Sequence, residues 1–366
     1  MKMLLDKRHN TQISVAKGIG IILMVIGHSG CPQLLHDYIY LFHMALFYLA
    51  SGYFYKENNV LHKKDFILKR IKGLYFPFVK WGFIFIAIHN LLGITMLTKV
   101  NGGGYETLYN LPLCLKAARA VITLAMPEPL LGATWFLTSL FVSSICLLLL
   151  DFLVSKIATG NKRIIITGVV TIVILLLTFI VGTQTKVPRM LHRDLGCMSL
   201  IYMGCILARK QYMIAYRPLP ALICTFMLII TATTWGSYSL VDYSIRNPLI
   251  FCVCALMGWY SIMTLAQWIV KHTGRVARFC DRLGERTLSI LIFHFCSFKL
   301  VSLIIILVYD LPISDLACFP TVAVNNHWWW IAYSVAGVGI PFLAGNYHGA
   351  FSRVVSKFGA GRQNNQ

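Results

Sequence analysis

Two side chains capable of acid–base chemistry, Lys17 and His28, stand in the run KGIGIILMVIGHSG (residues 17–30) with only glycine and apolar residues between them. At about 100° per residue, the eleven steps from one to the other make three turns plus about 20°, so on a helix both leave the same face, roughly 16 Å apart along the axis. A neutral imidazole accepts a proton near pH 7, which is what a general base must do. Gly18 and Gly20 thin the helix beside Lys17, and Gly27 clears the flank of His28, leaving room for a second helix or a ligand chain. Plain structural roles are open as well. Lys17 lies a few residues inside its span and its stem is long enough to reach the headgroups, and His28 sits near the helix end, where a neighbour can bond it.

Four further positions carry polar or aromatic groups inside apolar sequence. His43 and Ser51 lie two turns apart in YLFHMALFYLASGYFY, and Gly52 follows Ser51. Trp135 opens ATWFLTSLF, and His294 lies in LGERTLSILIFHF. Each has a structural alternative: a hydrogen bond to another helix, a small-residue packing contact at Ser51-Gly52, or an aromatic anchor at the membrane surface. A charged residue at a span centre costs roughly 2.5–3.5 kcal/mol, so Lys17 needs a partner or a function.

The elements that position these residues follow from composition. Of 366 residues, 57% are hydrophobic and 13% charged, and the mean hydropathy is +0.69. Soluble domains carry about 25% charged residues. Half that share, with apolar runs of about 20 residues, predicts an all-α integral membrane protein. Ten transmembrane helices are expected, at roughly 13–31, 36–55, 74–97, 133–151, 164–182, 194–208, 218–236, 247–270, 287–308 and 328–346. With the N-terminus inside, alternate connections hold 23 of the 33 Lys and Arg residues and the opposite side seven. The positive-inside rule then puts both termini in the cytoplasm. The net charge of +20 is thereby a topology signal and does not point to nucleic acid.

One domain is expected over residues 1–366, with a short polar cytoplasmic tail at 353–366 and no cleavable signal peptide. No His/Cys cluster has metal-ligand spacing. Most of the 11 cysteines lie in apolar spans, and Cys31, Cys114 and Cys318 fall on the outer side, where a bridge between two of them is open. The connection 98–132 opens with NGGGYE and holds a short surface helix bounded by Pro112 and Pro127. The connection 309–327 has no Lys or Arg. Inside, KENNVLHKKDFILKRIKGLYFP reads as an amphipathic stretch before the third span.

Taken together, VAKGIGIILMVIGHSG, YIYLFHMALFYLASGYFY, WFLTSLF and LGERTLSILIFH occur in the order found in the acyltransferase 3 family. The chain resembles that family, which includes sugar O-acetyltransferases similar to fucose 4-O-acetylase, from near residue 15 to residue 294. The resemblance implies a ten-span bundle in the bacterial inner (plasma) membrane. It also implies acetyl-CoA as a cytoplasmic co-substrate with no permanently bound cofactor or metal, and O-acetylation of a glycan or lipid-linked sugar. Family members carry a basic residue, often Arg, ten intervening positions before an essential histidine. Lys17 and His28 match that spacing, which makes His28 the centre of acyl transfer and Lys17 an aid to the donor. Ala45 stands where the motif around His43 usually continues with proline, and Ser14 where an acidic residue commonly precedes the basic one.

On this reading the donor phosphates meet Lys69, Arg70, Lys72, Arg275 and Arg278. His43, Ser51, Gly52, Trp135 and His294 support the site or bind substrate. The acceptor is expected at the two outer connections, with Tyr105, Tyr109, Trp328, Trp329 and Trp330 stacking on sugar or anchoring in the bilayer. A transporter of glycans or lipid-linked sugars would use the same intramembrane Lys and His as substrate or proton sites. It would be built from internal repeats, and the sequence has none. Another acyl group, such as succinyl, or another acceptor fits the same residues.

Overall fold

The computed structural model describes residues 2–95, 108–184, 189–211, 213–243, 245–324 and 328–360. The fold is all helical. In chain order the α-helices are α1 (Lys2–His28), α2 (Gln33–Tyr40), α3 (His43–Tyr53), α4 (Lys63–Arg70), α5 (Phe76–Ile94), α6 (Leu111–Ile122) and α7 (Trp135–Ser155). They continue with α8 (Gly160–Gln184), α9 (Arg189–Arg209), α10 (Pro218–Trp235), α11 (Pro248–His272), α12 (Gly274–Glu285), α13 (Thr287–Tyr309) and α14 (Trp329–Ala360).

Among the described residues, seven helical stretches are long and apolar enough to cross a membrane: Asn10–His28, Lys63–Ile94, Pro129–Ser155, Gly160–Ile180, Pro218–Trp235, Pro248–His272 and Thr287–Tyr309. The other three expected crossings are helical too, each with an irregular or polar feature. Segment 36–55 is divided at Leu41–Phe42, where the Ile39 carbonyl accepts from both the Phe42 amide and the His43 ring. Segment 194–208 falls in α9, which buries the ion pair Arg193–Asp194 at 2.9 Å. Segment 328–346 lies in α14, with Pro341 inside the helix.

The third span begins earlier than expected. α4 runs through a π-helical turn, Ile71–Tyr75, directly into α5. Pro77 has no amide to give the Gly73 carbonyl four residues back, and its ring crowds that carbonyl. The wider turn absorbs the conflict by sending the Phe76 amide five residues back to Ile71. The expected surface helix is α6, capped by Asn110, whose side chain accepts from the Leu113 amide at 3.1 Å. It stops at Ile122, short of Pro127. Residues 96–107, including Tyr105, and the tail residues 361–366 lie outside the described residues. All 11 cysteines are free thiols, including Cys31, Cys114 and Cys318.

α1 is the hub, packing on α12, α11, α3, α14 and α13. Two helix pairs approach backbone to backbone. A Cβ on Gly18 would sit 2.0 Å from the Cys280 carbonyl oxygen, and one on Gly284 would sit 1.9 Å from that of Ser14. A Cβ on Gly52 would lie 1.8 Å from the Ile201 oxygen, and one on Gly204 would lie 2.1 Å from the Leu49 oxygen. Glycine alone permits these contacts, which lock α1 to α12 and α3 to α9. α5, α8 and α10 leave rows of large apolar side chains exposed, such as Leu91, Leu177 and Leu222, which suits a lipid-facing rim. Lys299, buried in α13, donates to the carbonyls of Leu316 and Cys318, both at 2.8 Å, and so pins the 3₁₀ turn Ile313–Ala317. That accounts for an ammonium within a span.

Candidate active site

Lys17, Ile21, Met24 and His28 form one stripe along α1, at steps of four, three and four residues. The stripe lines two cavities, one at each end. The larger, about 290 Å³, is bounded by Lys17, Ile21 and Met24 of α1 and by Met44, Phe47, Ala50, Ser51 and Phe54 of the second segment. Arg70 at the end of α4 and Gly73 and Leu74 of the π-helical turn close it, with walls from α7 and the start of α13. The smaller, about 30 Å³, is lined by His28, Tyr40, His43, Ala133, Trp135 and the segment Tyr238–Val241. Met24, Met44 and Leu291 line both, so these three side chains form the septum between them.

At the Lys17 end, the arginine Nη2 of Arg70 donates to Ser51 Oγ at 2.9 Å, and its guanidinium lies 5.0 Å from the centre of the Phe66 ring. Ser51 thus faces the cavity while Gly52, one residue on, faces α9. The expected pair divides into a cavity residue and a packing residue. Lys17 is half-buried and feels the negative charges of Glu285 and Asp281 on α12. Ser14, in the position where the family commonly has an acid, donates to the Asp281 carbonyl at 3.2 Å instead. The carboxylates near Lys17 therefore come from a helix distant in sequence. Lys69, Lys72, Arg275 and Arg278 are exposed and line neither cavity; Arg70 alone of the five expected donor contacts does.

At the His28 end three histidines gather. Tyr40 Oη lies 3.3 Å from His28 Nδ1. The His28 ring stacks on His294 with centroids 5.5 Å apart and touches Phe295 at 5.2 Å. His43 and His294 are almost fully buried and hold known tautomers, because a carbonyl can only accept. His43 Nδ1 donates to Ile39 at 2.9 Å, and His294 Nδ1 to Ile290 and Leu291 at 3.1 and 3.0 Å. Each ring's Nε2 is left as the acceptor, and that of His294 has no partner among the described residues. Trp135 lines the small cavity with its ring under the Arg193 guanidinium, 4.9 Å from the centroid. His28 Nε2 has no hydrogen-bond partner among the described residues, so one nitrogen of the central imidazole is open to a ligand.

The outer aromatic residues expected to meet an acceptor are placed elsewhere. Tyr109 stacks on His89 at 3.4 Å, Trp328 is exposed, and Trp329 donates to Tyr309; none lines either of these two cavities. Sequence reasoning missed Met24, although it shares the Lys17–His28 face, and it missed Tyr40 and Tyr238–Val241. The last four carry no local signal, because only tertiary packing brings them over α1. Among the described residues no group of His, Cys, Asp and Glu could hold a metal ion.

A cation-lined chamber joined through a narrow septum to an imidazole-lined one suits group transfer between two substrates that arrive from different directions. The comparisons with known proteins give the family. No curated protein and no solved structure matches the chain, but a family model described as an acyltransferase domain matches residues 10–345. That span covers most of the 366 residues and both cavities. The chain belongs to the acyltransferase 3 family and is a membrane acyltransferase.

Proposed function

We propose that this acyltransferase moves an acetyl group from acetyl-CoA, entering at the Lys17 end, to a hydroxyl of an envelope glycan or lipid-linked sugar at the His28 end. The supporting observation is that one face of α1 carries Lys17 in the larger cavity and His28 in the smaller, with only the septum between them. The excess of Lys and Arg on the Lys17 side supports placing that side in the cytoplasm. The larger cavity, about 290 Å³, is at the low end for small-molecule sites and takes a pantetheine arm but not a whole coenzyme. The nucleotide phosphates therefore stay at the surface, near Lys69, Lys72, Arg275 and Arg278, while Arg70 and Lys17 stand deeper along the arm.

In the reaction, the acceptor oxygen attacks the thioester carbonyl and the carbon–sulfur bond breaks. With its own proton on Nδ1, donated to Tyr40, His28 takes the acceptor's proton at Nε2 and returns it to the leaving sulfur. His28 becoming briefly acetylated is the covalent form of the same chemistry. Membranes holding the protein, fed radiolabelled acetyl-CoA and the surface glycan of the host, are expected to label the glycan. His28→Ala at equal membrane level is expected to abolish labelling. Undiminished labelling with His28→Ala overturns the assignment, and sugar movement driven by an ion gradient without labelling favours a transporter.

A further inference from the structure

The helix expected on the outer surface, α6, folds back into the bundle beside α5. Ahead of its first turn, the Asn90 side chain of α5 bonds the amide and the carbonyl of Tyr109, at 2.7 and 3.0 Å. At its far end Val121 packs on Gly82, where a Cβ would sit 2.8 Å from Val121 Cγ1, and the Tyr75 hydroxyl donates to the Ile122 carbonyl at 3.2 Å. α6 therefore runs antiparallel to α5, from near the outer end of that span toward its middle. Trp81, beside Gly82, is edge-on to Phe293 at 4.6 Å, and Phe293 precedes His294. The tip of α6 thus reaches the depth of the His28–His294 pair.

A helix that ends inside a bilayer must satisfy its last carbonyls without water. α6 does so. The carbonyl of Arg119 accepts from the Thr123 amide, Ala120 from Ala125, Val121 from Leu124 and Ile122 from Tyr75, at 2.8–3.2 Å. Leu124 takes the left-handed conformation, φ 70°, that closes such an end.

Ala117 and Val121 are buried. On the other side of α6, Leu111, Leu115 and Ile122 are 73%, 63% and 53% exposed and fall within about 40° of one another. Arg119 and Lys116, both exposed, flank this apolar stripe at about 80° and 140° from Leu111. Three residues apart on a helix, they are neighbours. Neither has an ion pair or a side-chain hydrogen bond among the described residues. α5 continues to Ile94, about 18 Å beyond Gly82, so Arg119 and Lys116 lie about 15 and 10 Å short of its outer end. Two cations so placed stand in the outer half of the hydrocarbon, where an unmet charge is costly.

We propose that Lys116 and Arg119 hold the phosphate of an anionic phospholipid from the leaflet on their side, drawn below the headgroup level, with its acyl chains along Leu111, Leu115 and Ile122. A soluble anion would have to leave water by itself, whereas a phospholipid brings its own hydrocarbon and offers phosphate oxygens to both cations. α6 lines neither of the two cavities, so this site is separate from the one described above and does not depend on the acyl group or acceptor.

The test uses the full chain in detergent, titrated with phosphatidylglycerol or phosphatidylcholine, with native mass spectrometry counting the lipids retained. The wild type is expected to hold one phosphatidylglycerol that Lys116→Gln with Arg119→Gln releases, affinity for it falling about tenfold or more, the worth of hydrogen bonds to a charged group. The exchanged pair, Lys116→Arg with Arg119→Lys, keeps both charges and is expected to keep that lipid. Equal retention by wild type and the neutral variant overturns the inference, as does loss of the lipid in the exchanged pair, which marks a packing effect on α6. Phosphatidylcholine held as tightly as phosphatidylglycerol also overturns it, since the cations then select no anionic lipid. Displacement of phosphatidylglycerol by an equimolar long-chain polyprenyl diphosphate would give the site to a lipid carrier and overturn the phospholipid assignment. Acetyl transfer plays no part in this readout, so failure of the proposed reaction leaves the result intact.

Discussion

The two ends of the α1 stripe are built in different ways. The larger cavity is enclosed by regular helices and one π-helical turn, and its polar groups are Lys17, Arg70, Ser51 and Thr287 among apolar walls. The smaller has about a tenth of the volume and is closed by an irregular segment, with imidazole and phenol groups in place of cations. Cations act over several ångströms and tolerate a ligand that slides; an imidazole and a phenol act only at hydrogen-bond distance. The first end suits holding a long donor by its charge and length, and the second suits fixing one atom of an acceptor.

If the ends divide the labour in this way, substitutions at each should separate chemistry from binding. The largest effect is expected at His28. His28→Ala should lower turnover by about 10²–10⁴, the usual contribution of a general base, while acetyl-CoA still protects the protein from thermal unfolding. Loss of that protection would mean that the imidazole belongs to the donor site and that the two cavities are not functionally distinct.

Next come Lys17→Met and Arg70→Gln. Each removes a cation from the larger cavity and should raise the acetyl-CoA KM by about tenfold or more, in line with a hydrogen bond to a charged group, with little change in the glycan KM. The wild-type acetyl-CoA KM should rise with ionic strength where exposed Lys69, Lys72, Arg275 and Arg278 attract the phosphates, because exposed charges are screened by salt. A salt-independent KM would remove these four residues from the donor path.

The sequence exposed part of each end and hid the rest. Lys17 and His28 sit on a single helix, so periodicity alone aligns them, and Arg70 stood out in a basic run beside a span. Most of the bundle was readable for the same reason, since apolar length marks a crossing whatever it packs against. What stayed hidden depends on contacts between distant segments. Glu285 reaches Lys17 only because Gly18 and Gly284 let α12 lie against α1. Tyr238 reaches the His28 cavity through an irregular segment whose path no hydrophobic period records. Polarity inside a span was an ambiguous sign in itself: Lys299 proved to hold a loop, whereas Arg70, at the edge of the expected span, proved to line the cavity.

The finest test concerns the boundary between the ends. Met24, Met44 and Leu291 belong to both cavities, and methionine is the side chain that most readily changes shape to let a ligand pass. An acyl group carried on a flexible arm must displace this septum to come within reach of His28, so the septum should favour a short acyl chain. Met44 is the more exposed of the two methionines, at 9% against 1%, and its truncation disturbs the core less. Met44→Ala is expected to raise the turnover of propionyl-CoA relative to acetyl-CoA by about fivefold, below the tenfold or more that one methylene is worth in a rigid pocket, because the septum already yields. A competition assay with both donors reads the ratio directly. An unchanged ratio would mean that the acyl group reaches His28 by a route that does not pass between Met24 and Met44, and the two cavities would then have to be joined elsewhere.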